Sequence, residues 1–156
     1  MTHIYTLVNQ KGGVGKTTTA INIGAYLAKL DQRVLIVDID PQANATSSLG
    51  VDKNSVSTST YDTLLSGDVT ASAILFNERL QLSLLPSSPS LAGAEVELVE
   101  EEGREFRLRD ALESFKGKYD YIRVDCPPSL GLLTVNGLVA AKDGVLIPVQ
   151  CEYLAL

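Results

Sequence analysis

The sequence is short of several residue types, and each shortage argues against a class of protein. It has no tryptophan, one histidine and two cysteines, Cys126 and Cys151, which stand far apart and without C-x-x-C spacing. Metal binding by cysteine is therefore weakly supported, and we expect both thiols to be reduced core residues of a cytosolic protein. The 13 basic residues are outnumbered by 19 acidic ones, for a net charge of −6, so the overall charge does not favour nucleic acid.

Long apolar runs are also missing. No stretch of about 18 uncharged apolar residues occurs, and the N-terminus shows no charged segment followed by a long apolar one. These absences predict a soluble protein of the cytoplasm. At 156 residues the chain fits one domain, which at this size buries about 68–70% of its unfolded surface.

A glycine-rich segment, residues 9–18, stands between a strand-like run and a helix-like run. It reads Asn-Gln-Lys-Gly-Gly-Val-Gly-Lys-Thr-Thr. Its glycines allow backbone N–H groups to converge on one point, and the following helix adds the positive end of its dipole. We therefore expect a phosphate-binding loop, with Lys16 at the terminal phosphates and the Thr17 hydroxyl on a magnesium ion.

Apolar periodicity predicts an α/β fold. Apolar residues recur at three- and four-residue steps across residues 17–30, and short apolar runs at 3–8 and 33–38 flank this helix. Continuous apolar strands of this kind are typical of parallel sheets that helices cover on both faces. We expect a P-loop NTPase with a mostly parallel sheet and three α/β/α layers.

The remainder of the chain alternates between further elements. The pattern predicts an exposed loop at 51–60, helices at 61–65, 91–116 and 132–140, strands at 80–85, 119–125 and 144–149, and another helix that opens at 150–156. Gly103 is a candidate break in the long helix. Its glutamate-rich part is expected to be a solvated face with ion pairs rather than a protein-binding patch.

Aspartates follow two of the predicted strands. Asp38 and Asp40 end the strand at 33–38, and Asp125 ends the strand at 119–125. Because open α/β sheets place ligands at the carboxyl ends of their strands, we expect these carboxylates near the phosphate loop. Asp125 is placed as a Walker B carboxylate, which fixes magnesium, usually through a water. Turn capping is the alternative for any strand-end aspartate, and it stays open for Asp38.

These motifs resemble those of the ParA and MinD family of deviant Walker A ATPases. Gln10 replaces the first glycine of the strict Walker A pattern, and a second lysine, Lys11, begins Lys-Gly-Gly-Val-Gly-Lys-Thr. Asp-Ile-Asp-Pro-Gln and Asp-Cys-Pro-Pro-Ser are similar to the family's switch I and switch II, and they favour its ParA (Soj) partition branch. The resemblance implies that residues 1–156 form the N-terminal portion of a single P-loop ATPase domain, truncated at its C-terminus.

The resemblance also implies a role for each motif residue. Lys16 would contact the phosphates of its own subunit, Lys11 would reach the ATP of the partner in a nucleotide-sandwich dimer, and Asp40 would orient the attacking water. Thr17 and Asp125 (via water) would hold Mg²⁺, with Asp38 supporting the metal shell. The predicted ATP/ADP-binding residues are Lys11, Gly12, Gly13, Val14, Gly15, Lys16, Thr17 and Thr18.

The implied function is a magnesium-dependent ATPase whose ATP-driven homodimer acts in chromosome or plasmid partition. A ParB-type partner would stimulate its weak hydrolysis, and the dimer would bind DNA without sequence preference, through residues mostly beyond this chain. The protein would lie in the cytoplasm on the nucleoid, without stable membrane association. A MinD-like positioning ATPase, an ATP-dependent small-molecule synthetase, an iron–sulphur reductase and a nucleotide-binding module without hydrolysis remain as alternatives.

One residue departs from the family pattern. Arg123 lies inside the strand at 119–125, where the family has an aliphatic residue. A guanidinium buried there without a partner would cost several kcal/mol. We therefore expect Arg123 either to point to an edge or gap where a carboxylate meets it, or to weaken the fold.

Overall fold

The computed structural model describes residues 1–151. Its strands are β1 (His3–Leu7), β2 (Val34–Asp38), β3 (Leu75–Asn77), β4 (Leu82–Leu85), β5 (Tyr121–Asp125) and β6 (Gly144–Leu146). Its α-helices are α1 (Lys16–Lys29), α2 (Asn44–Ser48), α3 (Thr60–Ser66), α4 (Leu91–Glu97), α5 (Arg107–Glu113) and α6 (Leu132–Ala140), with 3₁₀ turns at Ala71–Ala73 and Arg104–Phe106. Most of the helix predicted at 150–156 lies outside the described residues.

The six strands form one sheet in the order β3-β4-β2-β5-β1-β6. Every pair is parallel except β3 and β4. On one face, α1 packs against Val34, Ile36, Leu82 and their neighbours, and on the other α3 to α6 cover a larger core. The predicted class, a mostly parallel sheet with helices on both faces, is confirmed.

The predicted long helix at 91–116 is wrong as a single element. α4 ends at Glu97, Gly103 has a positive φ of 70°, and α5 starts at Arg107. The break at Gly103 was anticipated, because glycine adopts this left-handed conformation without steric cost. The antiparallel strand β3 was not predicted: it has three residues, two of them exposed, which is too short for an alternating pattern to show.

Helix α6 packs unusually close to the sheet. A β-carbon on Gly137 would lie 2.5 Å from Cys126 Sγ and 3.1 Å from Ile39 Cδ1, so only glycine fits. The Thr6 hydroxyl of β1 donates a 2.6 Å hydrogen bond to the Gly137 carbonyl. Cys126 is thus a core thiol, whose pKa burial raises. The same prediction was wrong for Cys151, which is exposed.

Arg123 meets aromatic rings instead of a carboxylate. It is 6% exposed, and its guanidinium carbon lies 4.6 Å from the ring centre of Tyr5 and 5.5 Å from that of Tyr121. Its Nε is buried without a hydrogen-bond partner, and within residues 1–151 it forms no ion pair. Burial lowers the pKa of Arg123, since desolvation disfavours the charged form. The expected carboxylate partner is therefore not found, and cation–π contacts take its place.

None of the helices in the described part of the chain is long and apolar enough to span a bilayer.

Candidate functional site

The glycine-rich loop connects β1 to α1 at the carboxyl edge of the sheet. Gly13 and Gly15 have φ angles of 71° and 91°, which residues with a β-carbon rarely adopt. Gly15 is also the N-cap of α1, and no side chain caps this helix. The first-turn amides of α1 are therefore available to an anion, as in a phosphate-binding loop.

Lys16 is the first residue of α1 and comes directly after the glycine-rich loop. It is 7% exposed, and its Nζ donates a 3.3 Å hydrogen bond to the Lys11 carbonyl. The side chain thus folds back over the glycines, where its charge faces the same opening as the amides of α1. Lys11 is exposed, and this residue lines a different, largely apolar cleft of about 620 Å³ together with Leu130, Ile147 and Val149.

Residues after β6 support the loop, although they belong to no motif. Asn9 Oδ1 accepts from the Lys11 amide at 2.9 Å, while Asn9 Nδ2 donates to the Pro148 carbonyl at 2.9 Å. Gln150 Nε2 donates to the Gly13 carbonyl at 3.1 Å. The loop is therefore held from outside its own segment.

Asp125 is the carboxylate nearest to the loop. Its Oδ2 accepts a 2.6 Å hydrogen bond from Thr17 Oγ1, and its Oδ1 is buried without a partner. Burial raises the pKa of Asp125 to about 7, against the opposing hydrogen bond from Thr17. A buried, unpartnered carboxylate oxygen beside a hydroxyl is a donor set that fits Mg²⁺, a cation that prefers oxygen ligands.

Asp38 lies on the neighbouring strand, in register with Asp125. Its Oδ2 accepts hydrogen bonds from the Thr46 amide at 2.8 Å and hydroxyl at 2.7 Å, and its Oδ1 accepts one from the Asp40 amide at 3.1 Å. Burial raises the pKa of Asp38 to about 6, with the Thr46 hydrogen bonds opposing. These contacts make Asp38 an anchor for α2, and its support of a metal shell stays a prediction.

Asp40 is 6% exposed and less constrained. Its Oδ1 accepts from the Gln42 amide at 2.9 Å, and no hydrogen bond within residues 1–151 uses its Oδ2. Its backbone carbonyl accepts from the Ser87 hydroxyl at 2.7 Å, and the Ser87 amide donates to Thr46 Oγ1 at 2.9 Å. Hydroxyl residues that no motif singled out therefore tie this segment to the end of β4.

The structure brings most of the predicted site residues together. A cleft of about 330 Å³ opens over the loop and the start of α2. It is lined by Gly13, Gly15, Lys16, Thr17, Thr18, Asn44 and Ser48. Asp125 touches this group through Thr17. Of the other loop residues, Gly12 is exposed and Val14 is buried. Lys11 lines the apolar cleft described above. In the described residues no cluster of three His, Cys, Asp or Glu side chains suits a metal, so Mg²⁺ would need phosphate or water ligands beside Thr17 and Asp125.

Comparison with known proteins finds relatives over nearly the whole chain. A family model described as an AAA domain matches residues 2–156. The ParA chromosome partitioning protein of Myxococcus xanthus is 54% identical over 153 residues, which are 98% of this chain and 54% of that protein. The sporulation initiation inhibitor protein Soj of Bacillus subtilis is 54% identical over 156 residues, 100% of this chain and 61% of Soj.

Among solved structures, a cobyrinic acid a,c-diamide synthase from Mycobacterium smegmatis with bound ATP analogue and magnesium has a TM-score of 0.95 and 46% identity, covering 100% of this chain and 63% of that one. The chain thus spans between about half and two thirds of the length of these relatives. The AAA-domain match over nearly its whole length, with the Lys-Gly-Gly-Val-Gly-Lys-Thr loop, shows that the chain belongs to the ParA and MinD family of deviant Walker A ATPases.

Proposed function

We propose that this chain is the nucleotide-binding portion of a magnesium-dependent ATPase that acts as a dimerisation switch in chromosome or plasmid partition. One observation carries the proposal: the 2.6 Å hydrogen bond between Thr17 and Asp125, beside the buried Lys16. It joins the phosphate loop to the Walker B strand, as a nucleotide–metal site requires. Residues 1–156 would be the N-terminal portion of a single P-loop domain.

The loop and Lys16 would bind the polyphosphate of ATP or ADP. The amides of residues 12–18 and the Lys16 ammonium supply positive charge, which offsets the charge that develops on the phosphates during hydrolysis. Thr17 and Asp125 would hold Mg²⁺, which neutralises phosphate charge when bound. These contacts require no covalent chemistry from the protein.

Asp40 would hold the attacking water. Its Oδ1 is occupied by the Gln42 amide, and its second oxygen is available to accept a hydrogen bond from a water. The Ser87 hydroxyl fixes the Asp40 backbone, so the carboxylate is held at the sheet edge. Its alignment would come from the loop after β2 rather than from α1.

Lys11 would act across a dimer. Lys11 belongs to the loop, is exposed, and lines the neighbouring cleft. A cation supplied in trans accelerates phosphoryl transfer by roughly 10³ to 10⁵ in the better-known GTPase cases. Hydrolysis would then depend on assembly of the homodimer, the property that makes the protein a switch.

The names of the relatives support a role in partition, since ParA of Myxococcus xanthus is a chromosome partitioning protein. By this proposal a ParB-type partner stimulates hydrolysis, the ATP dimer binds DNA without sequence preference, and the protein lies in the cytoplasm on the nucleoid. The second candidate is an ATP-dependent small-molecule synthetase, which the name of the Mycobacterium smegmatis relative favours. Rapid ATP turnover that requires a carboxylate substrate, and no partner protein, would identify the synthetase.

The test uses three variants of the natural protein, with Lys29→Ala at the far end of α1 as the control. We expect Lys16→Ala to lose tight ATP binding, Lys11→Ala to bind ATP without forming a productive dimer, and Asp40→Ala to dimerise without releasing phosphate. Fluorescent-nucleotide titration, sedimentation velocity and phosphate release measure the three steps. Normal dimerisation and hydrolysis by Lys11→Ala would contradict the proposal.

A further inference from the structure

The helix that follows the Asp125 loop is capped by a different helix. The N-cap residue of α6 is Gly131, which has no side chain to accept a hydrogen bond from the first turn. Instead, Glu95 Oε1 of α4 accepts a 3.3 Å hydrogen bond from the Leu133 amide. A carboxylate at this position also interacts favourably with the positive end of the helix dipole.

The glycine at position 131 is explained by this contact. Gly131 has a φ of −73°, which any residue can adopt. A β-carbon there would, however, collide with Glu95 Oε1. A β-carbon at position 131 would therefore move the Glu95 carboxylate, the end of a flexible side chain, away from its contact with α6.

The rest of α6 is attached elsewhere. Asn136 is fully buried, and its Oδ1 accepts a 3.0 Å hydrogen bond from the Leu108 amide at the start of α5. Its Nδ2 donates to the Arg104 carbonyl at 2.9 Å. Asn136 Nδ2 also donates to the Leu132 carbonyl at 3.1 Å. The middle of α6 is thus fixed without Glu95, while the Leu133 amide in its first turn takes its side-chain partner from α4. Leu130, within the loop of residues 126–131, is 68% exposed and contributes little packing.

Helix α4 is itself held in place by α3. The Tyr61 hydroxyl donates to the Glu97 carboxylate at 3.0 and 3.1 Å. Glu95 and Glu97 therefore bind two different neighbours of α4. The other glutamates of this segment are largely exposed, and Glu101 and Glu105 form ion pairs with Arg107 and Arg104, which agrees with the predicted solvated face.

We propose that Glu95 is a positioning residue for ATP turnover, an inference that rests on the function proposed above. Its carboxylate caps α6 and so fixes the loop between Asp125 and α6. Glu95 does not touch the phosphate loop, whose supports are Asn9 and Gln150. Loss of Glu95 should consequently slow hydrolysis while nucleotide binding is retained.

The experiment compares Glu95→Ala, Glu95→Gln and the control Glu100→Ala in the natural protein. Glu100 is exposed on the same segment. Amide hydrogen exchange of residues 132–135 should be roughly five- to tenfold faster in Glu95→Ala, as expected for a lost helix cap. In the same variant kcat should fall by about five- to tenfold with KM changed less than about twofold. Glu95→Gln keeps an acceptor oxygen and should recover most of both losses, and Glu100→Ala should match the parent protein.

Each readout can overturn a separate part of the proposal. Unchanged exchange at residues 132–135 in Glu95→Ala would show that the cap contributes nothing. Faster exchange there with normal kcat would overturn the positioning role. Equal acceleration of exchange in α3 and α6, with no rescue by Glu95→Gln, would indicate general destabilisation instead. If the parent protein hydrolyses no ATP, the proposed function fails, and the exchange measurement still decides whether Glu95 caps α6.

Discussion

Thr17 and Asp125 are 108 positions apart in the sequence, and the Thr17 hydroxyl donates a 2.6 Å hydrogen bond to Asp125 Oδ2. Thr17 lies in the first turn of α1, the helix that follows β1, and Asp125 is the last residue of β5. In the sheet, β5 and β1 are neighbours. The parallel order of β1 and β5 brings the two carboxyl ends together. This one contact links the two motifs of the candidate nucleotide site.

Replacing this hydroxyl should weaken metal-dependent nucleotide binding. Thr17→Val keeps the branched shape but removes the donor to Asp125 and the oxygen offered to Mg²⁺. We expect the affinity for ATP with magnesium to fall by about tenfold to a hundredfold, and the affinity with EDTA to change little. Nucleotide titration with and without Mg²⁺ measures both, with the exposed Thr70→Val as the control. Equal magnesium dependence in Thr17→Val and the parent would contradict the assignment.

Ionisation of the Asp125 carboxyl should lower the free energy of unfolding as the pH rises. Burial raises its pKa from 3.8 to about 7, so the folded protein binds the proton more tightly than the unfolded chain does. Its contribution is fully present below about pH 4 and is lost as the pH rises through 7. Asp125→Asn removes this titration. Relative to the parent, the free energy of unfolding of the metal-free variant should therefore be higher at pH 8 than at pH 5 by on the order of 2–4 kcal/mol. Urea unfolding at both pH values tests this, and an equal effect at both would contradict it.

Replacing Arg123 should stabilise the fold. Its Nε is buried without a hydrogen bond, and the cation–π contacts with Tyr5 and Tyr121 offset only part of the cost of removing the guanidinium from water. Arg123→Met keeps a long side chain and should raise the free energy of unfolding by roughly 1–2 kcal/mol. The exposed Arg79→Met should change it by less than about 0.5 kcal/mol. Denaturant unfolding at neutral pH distinguishes the two, and a loss of stability in Arg123→Met would show that the ring contacts outweigh the desolvation.

The sequence was sufficient for the elements that form through local pattern. The glycine loop, the apolar strands β1, β2 and β5, and the helix α1 follow from periodicity and from glycine at fixed offsets, and the parallel fold class follows from their alternation. The positions of Lys16, Thr17 and Asp125 at one sheet edge follow from the same rule, since strand ends meet there. Their roles in catalysis stay predictions.

Contacts between distant segments could not be predicted in this way. Glu95 looked like one of several exposed glutamates, and only the packing of α4 on α6 brings it to Leu133, 38 positions away. The hydrogen bonds from Thr46 to Asp38 could not be inferred from an aspartate at a strand end, and its support of a metal shell stays a prediction. The contact between Arg123 and Tyr5 could not be predicted, because the two residues stand opposite each other only once β1 and β5 pair.

The close seat of α6 on the sheet restricts how this part of the protein can diverge. No side chain larger than hydrogen fits at position 137 without displacing Cys126 and pressing on Ile39 and Thr6, so a larger residue there first requires a smaller one in place of Cys126. The other side of α6 packs on α5 and on the turn at Arg104–Phe106, and Leu138 is the one residue of this helix that is exposed. Replacements on either side of this helix therefore need matching changes in the sheet or in α5.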